Sequence, residues 1–378
     1  MKKKTKKKNY LKSYISTLHL WLGLSSGLIV FIISITGCIY AFQKEIQDAT
    51  QSFRYVKEIR EKTIPLDELK VIAENQFENR KAFRIFQRKA EHTVTFLFYD
   101  DQGYHWVYID PYTGEVVESR DMTTDFFTIV LYLHTDLLIL GGVGKNITAA
   151  ATFIFVIMMI SGLILWWPKN KAARKQRLSF KWKPTTKWRR KNYDLHNILG
   201  FYMLWISIFI AITGLVWGYE WMEKGTYWLA SGGETIQEST LTSIVSEPVS
   251  EYPLEEVTQK TMAEFPNAGL TITFLPDEET SVYWVMSTTD IDQYYKSNSV
   301  FYDQYSLQEL TPNTIPERRF SQASFADKVH RINYDLHTGS IFGLTGKYIA
   351  FFASLISASL PITGFLVWRG RKKKQKKK

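Results

Sequence analysis

Four stretches free of charged side chains constrain this chain more than any other feature. Residues 13–43, 146–168, 195–219 and 348–368 carry no Asp, Glu, Lys or Arg over 31, 23, 25 and 21 positions. Each is long enough to cross about 30 Å of hydrocarbon as an α-helix. The lysine-rich start before residue 13 resembles a signal peptide. The apolar run behind it is too long for one, and no small-x-small cleavage pattern precedes Gln43, so the expectation is an uncleaved anchor.

Charge then sets the direction of the spans. The chain has 47 basic and 37 acidic residues, a net of +10. Residues 1–12, 169–192 and 369–378 hold 26 of the basic residues and none of the acids. The remainder keeps 21 basic against 37 acidic, a net of −16. Basic blocks at the ends of apolar spans are topology signals, so the overall basicity does not point to a nucleic-acid partner. All three blocks fall on one side if both termini are cytoplasmic and residues 44–145 and 220–347 are outside. Aromatics at 15% fit interfacial belts of Trp and Tyr, with Trp166, Trp167 and Trp368 read as anchors. The single cysteine, Cys38, excludes an intrachain disulfide, a cysteine-based metal site and a thioether-linked haem.

The outer segments read as small α+β units. Apolar residues at helical spacing predict a helix over 66–77. Alternating runs predict strands over 83–87, 93–99 and 105–109, a turn at Asp110-Pro111-Tyr112-Thr113-Gly114 and a strand from 115. Residues 253–311 repeat that order: a helix over 253–265, strands over 271–275 and 282–287, and a strand-turn over 300–306.

An internal repeat relates the two halves. Leu18-His19 with Gly23 matches Leu195-His196 with Gly200, and Ile35-Thr36-Gly37 matches Ile212-Thr213-Gly214. Leu133-His134-Thr135 matches Leu336-His337-Thr338; Gly144-Lys145 matches Gly346-Lys347; Gly162 with Trp166 matches Gly364 with Trp368. Helix, outer α+β domain, helix is thus used twice in one orientation, which implies a pseudo-twofold axis along the membrane normal.

Four of the seven histidines occupy these matched positions. His19 and His196 lie near the cytoplasmic ends of their spans, and His134 and His337 just ahead of theirs at the outer face. A histidine on each of two facing helices can hold a haem by bis-imidazole ligation. Gly23, Gly27, Gly200, the glycines at 141, 142 and 144, Gly339 and Gly343 offer room for a macrocycle. Lys145 and Lys347 suit its carboxylates on the outer side, with Lys12, Arg190 and Lys191 on the inner. An isolated interfacial histidine is usually structural, and duplication copies structural residues too; four at matched positions favour a shared ligand role. His330 is read as an alternative ligand or a surface residue, and His92 and His105 as surface residues. A non-haem metal is the weaker reading, because no carboxylate recurs in both halves; Asp194 beside His196 has no counterpart. No nucleotide-binding or nucleophile-elbow motif is present.

Leu18-His19-Leu20-Trp21-Leu22-Gly23, Asp194-Leu195-His196-Asn197-Ile198-Leu199-Gly200 and Leu336-His337-Thr338-Gly339 resemble the PepSY-associated transmembrane family, also called iron-regulated membrane proteins. The stretch from Val107 to Val116 is similar to the PepSY signature; Leu307 stands where Gly114 stands, a departure that puts part of the second domain's fold in doubt. Members include ferric-siderophore reductases with haem b between membrane histidines. The resemblance implies haem ligation by His19, His196, His134 and His337, and electron flow from a cytoplasmic or membrane donor to a ferric-siderophore acceptor outside a bacterial cytoplasmic membrane.

The expected organisation is a basic N-terminus (1–12), span 1 (13–43), PepSY-like domain 1 (44–132), span 2 with its His segment (133–168) and a basic loop (169–192). Span 3 (193–220), PepSY-like domain 2 (221–335), span 4 with its His segment (336–368) and a basic tail (369–378) follow. The fold class expected is an α-helical integral membrane protein, a four-helix transmembrane bundle with two extracytoplasmic α+β domains. The function expected is a transmembrane haem-dependent oxidoreductase with two haems b, a homodimer being left open. A non-enzymatic PepSY module that binds or modulates a peptide or protease is the alternative. A siderophore permease fits less well, because Pro361 is the only internal proline of the spans.

Overall fold

The computed structural model describes residues 10–139, 141–236, 241–312 and 318–375, without the side chains of 372–375. Its helices are α1 (Tyr10–Tyr40), α2 (Gln43–Thr50), α3 (Leu66–Glu74), α4 (Phe126–Asp136), α5 (Val143–Trp166) and α6 (Lys171–Arg177). The rest are α7 (Trp188–Gly218), α8 (Glu220–Ser231), α9 (Pro253–Glu264), α10 (Phe325–Thr338) and α11 (Gly343–Gln375). The chain divides into two compact units, one built from residues 1–41, 130–222 and 336–378, the other from 42–129 and 223–335.

The first unit is helical. Tyr10–Tyr40, Val143–Trp166, Trp188–Gly218 and Ser340–Arg371 are long and apolar enough to cross a membrane. A helix satisfies all its backbone hydrogen bonds internally, which is what hydrocarbon demands. α1 packs on α5 and α11, and α7 packs on the same two, so α1 and α7 stand at opposite corners of a four-helix bundle. Met159, Leu204 and Ala211 form a buried cluster between α5 and α7. Pro361 interrupts the hydrogen-bond ladder inside α11. It lies over Gly27 of α1, where an added Cβ would meet its ring at 3.2 Å. Trp166 departs from the anchor role expected of it: it is buried and stacks on Phe201 with ring centres 3.7 Å apart. Trp167 remains exposed.

The second unit is a single antiparallel sheet with helices against it. Its strands are β1 (Arg84–Gln87), β2 (Val94–Asp100), β3 (Gly103–Ile109), β4 (Val116–Asp121), β5 (Leu270–Phe274), β6 (Val282–Thr288), β7 (Asn298–Asp303) and β8 (Glu309–Leu310). They lie in the order β4-β3-β2-β1-β5-β6-β7-β8. The two runs read separately in the sequence meet at β1 and β5, in register from Arg84↔Phe274 to Gln87↔Thr271. Alternation puts Ile85, Phe96, Phe98, Val107 and Ile109 in one core with Leu66, Leu69 and Ala73 of α3. Val257 of α9 joins Val285, Val300, Tyr302 and Leu307 in a second.

α3 and α9 cap one another. The Asp67 carboxylate accepts from the backbone N–H groups of Leu254 and Glu255 at 3.2 and 2.9 Å. The Glu255 carboxylate accepts from the Leu66 N–H at 3.0 Å. Each acid satisfies orphan donors at the other helix's N-terminus.

The strand-turns of the two halves have matching hydrogen bonds. Gly114 at φ +74° donates to the Asp110 carbonyl at 2.9 Å, and the Asp110 side chain accepts from Tyr112 N–H at 2.8 Å. Leu307 at φ +53° donates to the Asp303 carbonyl at 3.0 Å, and the Asp303 side chain accepts from Tyr305 and Ser306 at 3.0 and 2.8 Å. The departure at Leu307 leaves the turn intact: a leucine occupies the left-handed conformation that glycine takes in the first turn.

Candidate functional site

The four spans share a tripeptide. Ile35-Thr36-Gly37 lies in α1, Ile160-Ser161-Gly162 in α5, Ile212-Thr213-Gly214 in α7 and Ile362-Thr363-Gly364 in α11. Each places a hydroxyl and a bare backbone side by side on the helix surface. Each receives one of the four matched histidines from another helix.

The contacts have one pattern. His19 of α1 has Nδ1 2.8 Å from Ser161 Oγ of α5. His134 of α4 has Nδ1 3.0 Å from Thr36 Oγ1 of α1. His196 of α7 has Nδ1 3.0 Å from Thr363 Oγ1 of α11. His337 of α10 has Nδ1 3.1 Å from Thr213 Oγ1 of α7. The glycine after each hydroxyl clears space for the ring. A Cβ added at Gly162, Gly37, Gly364 or Gly214 would lie 3.3, 3.2, 3.2 or 3.1 Å from the Cε1 of that same histidine. A methyl there pushes the ring, so any larger residue displaces it.

The imidazoles form two pairs. His134 and His337 lie with ring centres 6.1 Å apart at an interplanar angle of 69°, and Trp217 sits edge-on to His337 at 5.2 Å. His19 and His196 lie on the diagonal helices α1 and α7, each against the Ser/Thr-Gly step nearer the basic end of its neighbour, Ser161 of α5 and Thr363 of α11. Along α1, His19 and Thr36 are 17 residues apart. At 1.5 Å per residue that is about 25 Å, so the two pairs lie near opposite ends of the hydrocarbon thickness.

A family model for the PepSY-associated TM region matches residues 16–371. The chain belongs to that family. No curated protein matches the sequence.

Other sequence-singled residues of this PepSY-associated TM protein sit elsewhere. Gly23 faces Met158, Gly27 faces Pro361 and Gly200 faces Leu360, so these glycines serve helix packing here. Lys145 is exposed, whereas Lys347 is buried. Arg190 is bound to Asp194 at 2.9 Å, and Trp182 Nε1 donates to the same carboxylate at 3.2 Å. Lys191 lies over the Trp182 ring. His330 pairs with Glu223 at 3.0 Å. One surface expectation fails: His92 is buried beside Tyr55, with ring centres 4.7 Å apart. His105 is half-buried and receives a hydrogen bond from Arg80 at 2.8 Å. Among the described residues no three His, Cys, Asp or Glu side chains group as a metal centre.

Sequence pattern does not single out the hydroxyls. Two of the four tripeptides stand among the repeat matches, as do Gly162 and Gly364. The available signal was the recurrence of Ile-Ser/Thr-Gly once in every span, matching one histidine to each.

Proposed function

We propose that this PepSY-associated membrane protein carries electrons across the cytoplasmic membrane of a bacterium and reduces ferric chelates on the outer side. Two haems b are the cofactors of this reading, one on His19 and His196 and one on His134 and His337. When bound, haem supplies one-electron iron redox chemistry. Both termini face the cytoplasm and the sheet unit lies outside, as the three basic blocks favour. The halves descend from one duplicated unit, which the matched strand-turns and histidine contacts support.

The observation that carries the reading is the fourfold contact between a histidine Nδ1 and a Ser/Thr hydroxyl. Histidines that ligate metals almost always donate their other ring N–H to an oxygen acceptor, most often a carboxylate, a backbone carbonyl or water; a hydroxyl with its own proton engaged can fill that place. Spacing agrees at the outer pair. Two imidazoles on opposite sides of one metal, with bonds of about 2 Å each, set their ring centres roughly 6 Å apart. His134 and His337 stand at 6.1 Å. A pair of histidines without a third protein donor suits a macrocycle that fills the remaining positions itself, and no third donor groups with them among the described residues. Reduction of iron(III) to iron(II) loosens chelators built for the harder ion, so electron delivery would release the metal.

The test is a dithionite-reduced minus oxidised spectrum of the purified protein with haem counted per chain. The reading expects sharp low-spin bands and about two haems per chain. His134→Ala and His337→Ala should each remove one haem and spare the other. Protein without haem, made under ample haem supply, overturns the reading; equal loss of both haems in either variant overturns the two-site assignment.

A further inference from the structure

The hydroxyls opposite the histidines have already spent their protons. Thr36 Oγ1 donates to the Ile32 carbonyl at 2.8 Å, Thr213 Oγ1 to Phe209 at 2.8 Å and Thr363 Oγ1 to Ser359 at 2.9 Å. Ser161 Oγ donates to the Met158 carbonyl at 3.1 Å. A hydroxyl has one proton and two lone pairs. With the proton committed to its own helix, each oxygen can only accept from the imidazole beside it. The Nδ1 of His19, His134, His196 and His337 must then carry hydrogen. In a neutral imidazole that leaves the lone pair on Nε2.

We propose that Ser161, Thr36, Thr363 and Thr213 are positioning residues that lock the four histidines in the Nδ1–H tautomer, each presenting Nε2 as a ready donor. This rests on the haem reading for the identity of the ligand, but the tautomer itself does not depend on it.

The four locks are unequal. His337 Nδ1 also lies 2.9 Å from the Ile210 carbonyl. Ile210 precedes Thr213 by three positions, where the helix surface turns a carbonyl toward the same ring. A carbonyl cannot donate, so it enforces Nδ1–H at His337 independently. Among the described residues His19, His134 and His196 each have a hydroxyl alone at hydrogen-bond distance from the ring. Their tautomers depend on Ser161, Thr36 and Thr363, whereas that of His337 is held twice.

Nitrogen NMR of the full chain, labelled with 15N-histidine and prepared haem-free in bilayers, reads the tautomers directly. The expected wild-type spectrum shows protonated Nδ1 and unprotonated Nε2 at all four histidines. Ser161→Ala should turn His19 into a tautomer mixture, and Ser161→Thr should restore it. Thr36→Val and Thr363→Val should likewise turn His134 and His196 into mixtures, whereas Thr213→Val should leave His337 unchanged, because the Ile210 carbonyl remains. An Nε2–H form in the wild type, or an unaltered His19 in Ser161→Ala, overturns the proposal. In haem-loaded protein Ser161→Ala should raise the midpoint potential of one haem more than Thr213→Val does, since losing the partner makes the imidazole a poorer donor to ferric iron. A chain that takes up no haem but shows the four tautomers refutes the cofactor and leaves the locks standing.

Discussion

At the scale of single residues, Leu307 holds a conformation that costs most L-amino acids about 1–2 kcal/mol. It is retained because the side chain is only 4% exposed and packs with Val257, Val285, Val300 and Tyr302. Truncating a buried leucine costs roughly 2–5 kcal/mol, more than the backbone relief returns. Leu307→Gly should therefore destabilise the sheet unit, by about 1–3 kcal/mol, although it restores the residue of the first turn. Hydrogen exchange at Val300 and Tyr302 would show it; slower exchange in the variant would mean that the strain outweighs the packing. The same scale shows what one dimension hides. The four histidines were legible because their spacing recurs. Their hydroxyl partners were not, because Ser161 is 142 positions from His19 and no periodicity links them. His92 differs from its reading for a related reason: a polar residue beside a strand reads as surface, and the distant Tyr55 bridges to it across the sheet edge.

At the scale of elements, the helices and strands follow from local pattern, and their ends shift by a few residues. The helix expected over 66–77 stops at Glu74, and the strand expected from 115 runs from Val116 to Asp121. The joint between β1 and β5 was not legible, since an edge strand carries no mark of which other edge will complete its ladder. That joint is reinforced by the crossed caps of α3 and α9, where Asp67 has conflicting duties. Burial raises its carboxyl above the ordinary aspartate value of 3.8, against the lowering effect of the Glu255 and Leu254 N–H groups it accepts from. A folded carboxyl that holds its proton more tightly than the unfolded one loses stability as pH rises through that interval, and the loss is complete at neutral pH. Asp67→Asn sheds the charge but keeps only one of the two accepting oxygens, so at neutral pH it should fall less than Asp67→Ala. Asp67→Ala should lose about 1 kcal/mol, the usual worth of a cap. Thermal melting of the two variants decides the point; Asp67→Asn falling as far as Asp67→Ala would assign the stabilisation to the ionised carboxylate.

At the scale of the whole molecule, the proposed electron flow depends on direction. Electron delivery to an outer acceptor requires that the basic loop 169–192 and the strand unit lie on opposite sides of the bilayer, the arrangement that the charge distribution favours. The lone cysteine makes the test simple. Cys38 is buried in α1, with Sγ 3.4 Å from the Phe351 carbonyl oxygen, so its replacement by alanine leaves a chain without reactive thiols. Ser119 of β4 and Ser179 of the basic loop are both exposed. In the Cys38→Ala background, Ser119→Cys should react with a membrane-impermeant maleimide in intact cells. Ser179→Cys should react only after permeabilisation. The reverse pattern would place the strand unit in the cytoplasm, where it would face the electron donor, and the proposed flow to an outer ferric chelate would have to be abandoned even if both haems were found. Labelling at both positions in intact cells would mean a mixed insertion, which three charge blocks on one side are expected to prevent.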